Sequence, residues 1–305
     1  MVPTVPGTLT PGLWVILTTP FLADGQVDLR SARRQVRFAR QAGADGLVAL
    51  GVFGEAAHLS LEEQRAVVEV VAEEAAGIPL VLGVAGRSTA VVVEQAQNAL
   101  QAAGRPAALM VQLNSPDPTV VVRHLTAVHE ATGMGVVVQD YPVASGVVMV
   151  VDRVVEVVQR CPFLVAVKAE APPTPPAISR LSEVGAVPVF GGLGGVGLID
   201  ELAMGAAGAM TGFSHPEGLR ATLDAFATGG VAAARDAWSP WLPLATFEQQ
   251  HGIALALRKM LLHRRGVLDH PGVRPPAATM PDRLLALLED HLAAVQPLLL
   301  GEASP

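Results

Sequence analysis

Gly46-Leu47-Val48-Ala49-Leu50 is a short apolar run, and Ser60-Leu61-Glu62-Glu63 opens an amphipathic stretch that continues to Ala76. Leu80-Val81-Leu82-Gly83-Val84 then returns to an apolar, β-branched run. Ser60 and Glu63 have the spacing of a capping box, in which a hydroxyl accepts from an early helical N–H and the glutamate reaches back. The stretch from 46 to 84 therefore reads as one strand–helix–strand unit with parallel strands. The same alternation extends outward in both directions. Further strand-like runs are Leu13–Thr18, Ala107–Val111, Gly135–Gln139, Leu164–Lys168, Val187–Gly191 and Ala207–Thr211, giving eight in all. Helix-like segments lie between them at Leu29–Ala42, Ala90–Ala102, Thr119–Thr132, Val147–Gln159, Ala177–Val184 and Leu198–Met204. Strict alternation implies a parallel sheet covered by helices, and eight units is the number that closes a (β/α)8 TIM barrel. An open doubly wound sheet is the alternative, but it has no need of eight strands. After about Pro216 the pattern turns all-helical, with Leu219–Ala227, Val231–Leu244, Gly252–Arg265 and Asp282–Leu299 around a proline-rich connector from Pro271 to Pro276. The expected organisation is a barrel over 1–215 and a C-terminal helical extension over 216–305 packed on it.

Composition narrows the function. Of the 305 residues 50% are apolar and 16% charged, which supplies a large core and argues against disorder. A net charge of −7 and the lack of a basic stretch argue against nucleic acid as the partner. No apolar run reaches membrane-spanning length, so no membrane association is expected. The first 22 residues carry no side-chain charge but are broken by Pro3, Pro6, Pro11 and Pro20, and read as an ordered arm rather than a targeting segment. The single cysteine, Cys161, forms no intramolecular disulfide, and the expected location is cytoplasmic.

Among 21 basic residues only Lys168 and Lys259 are lysines. Lys168 ends the apolar strand Leu164-Val165-Ala166-Val167-Lys168, and the carboxyl ends of barrel strands form the active face. Apolar surroundings favour the neutral amine, and a neutral amine attacks a carbonyl to give an imine. A strand-end lysine that snorkels to water is the ordinary alternative. With arginine serving almost everywhere else as the surface cation, imine chemistry is the preferred expectation here.

Three segments carry a resemblance to a known family. Thr18-Thr19-Pro20-Phe21 with Asp24-Gly25 resembles a first strand and loop. Gly51-Val52-Phe53-Gly54-Glu55, followed by Leu59-Ser60-Leu61-Glu62-Glu63, resembles a Gly-Thr-Thr-Gly-Glu loop and its helix. Val165-Ala166-Val167-Lys168 resembles a Schiff-base strand. Together they are similar to the dihydrodipicolinate synthase and N-acetylneuraminate lyase superfamily. The resemblance implies a pyruvate or pyruvate-like 2-oxo acid bound as an imine to Lys168; the second substrate stays open, with the apolar Val52, Phe53 and Leu113 suggesting a less polar one such as an aromatic or aliphatic aldehyde. It implies carboxylate binding by the backbone N–H groups of Val52 and Phe53, and backbone near the keto acid from Met210. It implies a homotetramer built as a dimer of dimers. Imine chemistry needs no metal, no histidine pair has the spacing of a zinc site, and no cofactor is expected.

The departures from that pattern are chemical. Val52 and Phe53 replace two threonines, so no hydroxyl passes protons there. Gln112 and Leu113 replace a tyrosine pair, although Asn114 is retained. Gln139 stands where the catalytic tyrosine is expected, and an amide has no suitable pKa for acid–base work. Tyr141, the only tyrosine, either turns inward to recover the phenol's role or packs at the rim as a loop aromatic, the simpler expectation. Ala144 replaces the arginine that grips the second substrate's carboxylate, so the chain is expected not to be an authentic dihydrodipicolinate synthase. A binding or regulatory protein that keeps the lysine is the alternative function.

Gly192-Leu193-Gly194-Gly195-Val196-Gly197 matches a dinucleotide fingerprint, which raises a nucleotide-dependent oxidoreductase as a third reading. It opens the seventh unit rather than the first, so a tight barrel turn lining the pocket is the better expectation. The histidines are expected mostly at the surface or in packing, and His215, which follows the eighth strand, has the pocket rim as its alternative. Glu55 and Glu170 fall near the mouth, where salt-bridge or solvated roles are expected over proton transfer.

Overall fold

The eight apolar runs form eight strands that are buried almost throughout: β1 Gly12–Ile16, β2 Gly46–Ala49, β3 Leu80–Val84, β4 Ala108–Gln112, β5 Val136–Asp140, β6 Leu164–Ala169, β7 Val189–Gly191 and β8 Gly208–Thr211. In the computed structural model, which describes residues 7–299, each strand pairs in parallel with the next, and β8 closes on β1. The chain is thus a closed (β/α)8 barrel with additional helices at its C-terminal end. Pro3 and Pro6 lie outside the described residues. The part of the arm that is described reaches the barrel, where Leu9 donates its N–H to Val165 at 3.1 Å.

Among the described residues the α-helices, in chain order, are α1 Leu29–Gln41, α2 Leu61–Ala75, α3 Thr89–Ala103, α4 Pro118–Thr132, α5 Pro142–Ser145, α6 Val151–Arg160, α7 Thr174–Val184, α8 Leu198–Ala203, α9 Pro216–Trp238, α10 Leu242–Glu248, α11 Ala254–Arg264 and α12 Leu285–Leu299. At the start of α2, Ser60 accepts from the Glu63 N–H and Glu63 accepts from the Ser60 N–H. Alternation along the strands creates two cores. Trp14, Ile16, Val48, Val81, Met110, Phe190 and Met210 fill the barrel interior, while the opposite strand faces pack against the helices.

Two helical expectations are corrected. The helix expected over Val147–Gln159 begins only at Val151, as α6, and the short α5 lies before that segment. Between them Val150 is extended (ψ 144°), as suits a run of β-branched side chains. The break expected between Leu219–Ala227 and Val231–Leu244 is present, because the α9 stretch leaves helical geometry at Gly230 (φ 67°, ψ −156°), a backbone conformation open to glycine. The second segment, however, stops at Trp238, and Leu242 already starts α10. α9 packs against α8 and β1, so it completes the outer ring from within the stretch expected to belong to the extension. α10 packs against the turn after β7, bringing the C-terminal helices to the barrel mouth. Among the described residues no helix is long and apolar enough to cross a membrane.

Candidate active site

Register decides what meets at the mouth. Gln112 on β4, Gln139 on β5 and Lys168 on β6 are cross-strand partners in sequence, with Phe190 of β7 beyond. A small cavity opens there, bordered by Gln139, Tyr141, Lys168, Glu170, Val52, Phe53, Leu193, Thr211 and Arg258, among others. A larger cleft shares Gly51, Val52, Met110 and Gln139 with it. Gln112, Leu113, Asn114 and Ala144 line that second cleft.

The Lys168 side chain is only 6% exposed, and its Nζ lies 3.0 Å from Oε2 of Glu170. Residues two apart on a strand share a face, so a lysine followed two places later by a glutamate delivers both groups to one cavity. Gln139 donates from Nε2 to the same carboxylate oxygen at 2.7 Å. The N–H of Leu193 donates to the other oxygen at 3.2 Å. A Cβ on Gly192 would sit 2.1 Å from Glu170 Oε1, so glycine is needed for the loop to close over this carboxylate. The glycine-rich segment is thus a tight turn around Glu170 in a closed barrel, not the first turn of an open dinucleotide-binding sheet.

The other expected residues are distributed unevenly. Tyr141 lies beyond the end of β5, yet it borders the cavity rather than the outer rim. Burial raises its phenol pKa, Glu170 adds to this, and Arg258 opposes it. Val52 and Phe53 form a 3₁₀ turn between Leu50 and Glu55, both with positive φ. Amides at the start of such a turn have no acceptor inside it, which leaves them available to an anion. The Met210 side chain is fully buried in the barrel interior, and the residues that border the cavity from this strand end are Thr211 and Gly212. His215 packs rather than rims the pocket. It is fully buried between Phe213 and Trp241 and does not border the cavity. Burial lowers its pKa to about 3, with Arg265 acting in the same sense.

Glu55 does not face the cavity. It is buried with Lys259, whose Nζ donates to it and, at 3.0 Å, to the carbonyl of Gly272. Glu55 also accepts from the Arg274 N–H at 2.9 Å. The second lysine therefore ties α11 and the proline-rich connector to the loop that carries Val52 and Phe53.

Behind the site, Glu201 is 1% exposed and accepts from the Thr174 hydroxyl at 2.6 Å. Burial raises its pKa to about 7; the Thr174 hydrogen bond opposes this, while Glu170 and Asp200 add to it. Because the folded value exceeds the unfolded one, the native state binds the extra proton. Stability should therefore fall as pH rises from about 4.5 towards 7, and the full cost applies above that window. Glu201→Gln should remove this dependence and stabilise the protein at pH 8 by roughly 3 kcal/mol at most. Chemical denaturation at pH 5 and pH 8 measures it; an unchanged pH slope in the variant would refute the assignment.

Of the two other charged residues described at the cavity, the sequence places Glu170 near the mouth in a salt-bridge or solvated role, and it does pair with Lys168, while Arg258 is not singled out. Glu170 had a readable signal in its two-residue spacing from the lysine. Arg258 reaches the cavity from α11, far along the chain, and no motif announces it. What the site offers is a buried amine touching a carboxylate, a phenol, an orienting amide and an amide-bearing turn. Among the described residues no group of three or more His, Cys, Asp or Glu side chains is arranged to hold a metal ion.

Residues 10–294 match the model of the dihydrodipicolinate synthetase family. The chain is 28% identical over 287 residues to an L-2-keto-3-deoxyarabonate dehydratase from Azospirillum brasilense, covering 91% of this chain and 92% of that protein. It is 30% identical over 295 residues to a 4-hydroxy-tetrahydrodipicolinate synthase from Methanothrix thermoacetophila, covering 94% and 97% respectively. The crystal structure of dihydrodipicolinate synthase from Rhodopseudomonas palustris superimposes with a TM-score of 0.86 at 28% identity, covering 94% of this chain and 99% of that one.

Proposed function

The chain belongs to the dihydrodipicolinate synthetase family, and from that premise we propose that it is a lyase or aldolase forming an imine between Lys168 and a 2-oxo acid. Nζ of Lys168 attacks the C2 carbonyl, giving a carbinolamine. Loss of water from it leaves the protonated imine, which withdraws electrons from C3. A carbon–carbon bond, or a carbon–oxygen bond to a leaving hydroxyl, is then made or broken next to that centre. Glu170 takes the proton from Nζ and returns one to the departing hydroxyl. Tyr141 is the second proton-carrying group, and Gln139 holds Glu170 in place.

The observation that carries this reading is the contact between Lys168 and Glu170 inside the cavity at the carboxyl end of β6. The names of two relatives, a dehydratase acting on a keto-deoxy acid and a synthase, agree with it. The test is incubation with pyruvate followed by sodium borohydride, read by intact-protein mass. One reduced adduct per chain is expected. A folded protein that gains no mass with pyruvate or any of a panel of 2-oxo acids would overturn the reading.

The second substrate is proposed to be less polar than aspartate semialdehyde. Ala144 lines the larger cleft in the place of the arginine clamp, and Val52 and Leu113 add apolar wall. Loss of a bidentate guanidinium removes both charge and geometry. Condensation of pyruvate with aspartate semialdehyde should therefore run with kcat/KM at least about 100-fold below that of an aliphatic or aromatic aldehyde. A coupled assay comparing these aldehydes decides the point, and a preference for aspartate semialdehyde would refute it.

A further inference from the structure

Arg258 is a buried cation whose neighbours leave part of its guanidinium unused. It lies on α11, is 3% exposed, and borders the same cavity as Lys168. Its Nε donates to Glu248, a carboxylate that also accepts from the Ser214 N–H at 3.0 Å. Its guanidinium lies over the Phe53 ring, 4.4 Å from the centroid. Nη2 is buried and has no hydrogen-bond partner among the described residues. Space for the group is provided by Gly212, where a Cβ would come within 2.4 Å of Nη1. The ion pair and the aromatic face fix the plane, and the Nη end remains free for an acceptor.

The unused Nη2 donors of Arg258 indicate which acceptor. Among the described residues, Lys168 and Arg258 are the cationic side chains that border the cavity and Glu170 is the anionic one, with the charge of Arg258 balanced by Glu248 behind it. Glu170 is paired with Lys168. A 2-oxo acid brings a second anion beside Glu170, and the side chains of Val52 and Phe53 offer it no donor. Arg258 rests on the ring of Phe53, next to the turn whose amides are available. A guanidinium fork there matches a carboxylate in charge and in geometry.

Resting on the imine reading above, we propose that Arg258 holds the C1 carboxylate of the 2-oxo acid bound at Lys168, together with the amides of the Val52–Phe53 turn. The residue then selects acids over neutral carbonyl compounds and aims C2 at Nζ. It takes no part in proton transfer.

The experiment measures the rate of borohydride trapping against the concentration of pyruvate and of pyruvamide, which carries the same ketone beside a neutral amide. Wild type is compared with Arg258→Lys and with the double variant Arg258→Met, Glu248→Gln, which removes both buried charges together. Half-saturation for pyruvate is expected to rise about 100-fold in the double variant and about 10-fold in Arg258→Lys, while that for pyruvamide stays unchanged. Should the double variant not fold, Arg258→Lys keeps a cation beside Glu248 and decides the question alone. Unchanged half-saturation for pyruvate, or an equal rise for both compounds, overturns the assignment while leaving the imine intact. Failure of wild type to form any adduct overturns the imine and this assignment with it.

Discussion

Lys168→Met should abolish borohydride-dependent adduct formation and lower lyase or aldolase turnover by at least about 10⁴-fold. Methionine keeps most of the length of the lysine side chain and suits the apolar wall built by Ile16, Met110 and Val52. Glu170 retains the Gln139 and Leu193 donors, so the carboxylate is not stranded. The effect should thus appear in chemistry rather than folding. Circular dichroism and thermal melting separate the two: a native spectrum with no turnover is expected. Activity within about 10-fold of wild type in a well-folded Lys168→Met protein would mean that no covalent step passes through this residue.

The second large effect is that of Glu170→Gln, expected to lower kcat by roughly 10²- to 10⁴-fold. The amide oxygen can still accept the Leu193 N–H, so the turn over the cavity can keep its shape. Its NH₂ group faces the Lys168 and Gln139 donors instead of accepting from them, and it takes no proton from Nζ. Adduct formation with pyruvate should persist at a reduced rate, because the amine itself is intact. KM should change far less than kcat. A purely structural role predicts otherwise: a lower melting temperature and equal losses at every step. A variant with wild-type kcat would remove Glu170 from the chemistry.

The architecture was readable because it is repetitive. Each of the eight apolar runs is short, each is followed by an amphipathic stretch, and the closure of β8 on β1 follows from the count. Lys168 was readable because it stands at the end of one such run in a chain nearly devoid of lysine. Glu170 was half-legible: its spacing from Lys168 put both on one face, but sequence alone did not say that the loop after β7 would fold down and fix it. Arg258 was not legible. Its position depends on how α11 docks across the barrel mouth, a long-range fact that local periodicity does not encode. The neighbouring pair Arg258-Lys259 within the apolar run Ala254–Leu262 carried a signal of a different kind. Two adjacent buried cations require two buried acceptors, which Glu248 and Glu55 supply. His215 shows the limit of reasoning from a strand's end, because it turns into an aromatic cluster instead of the pocket rim.

A crystal structure of the protein soaked with pyruvate bears most directly on the whole account. Continuous density from Nζ of Lys168 to C2 of the keto acid is the expected result, with Glu170 still within hydrogen-bonding distance. Pyruvate bound elsewhere, with Nζ of Lys168 unmodified and still paired to Glu170, would contradict it.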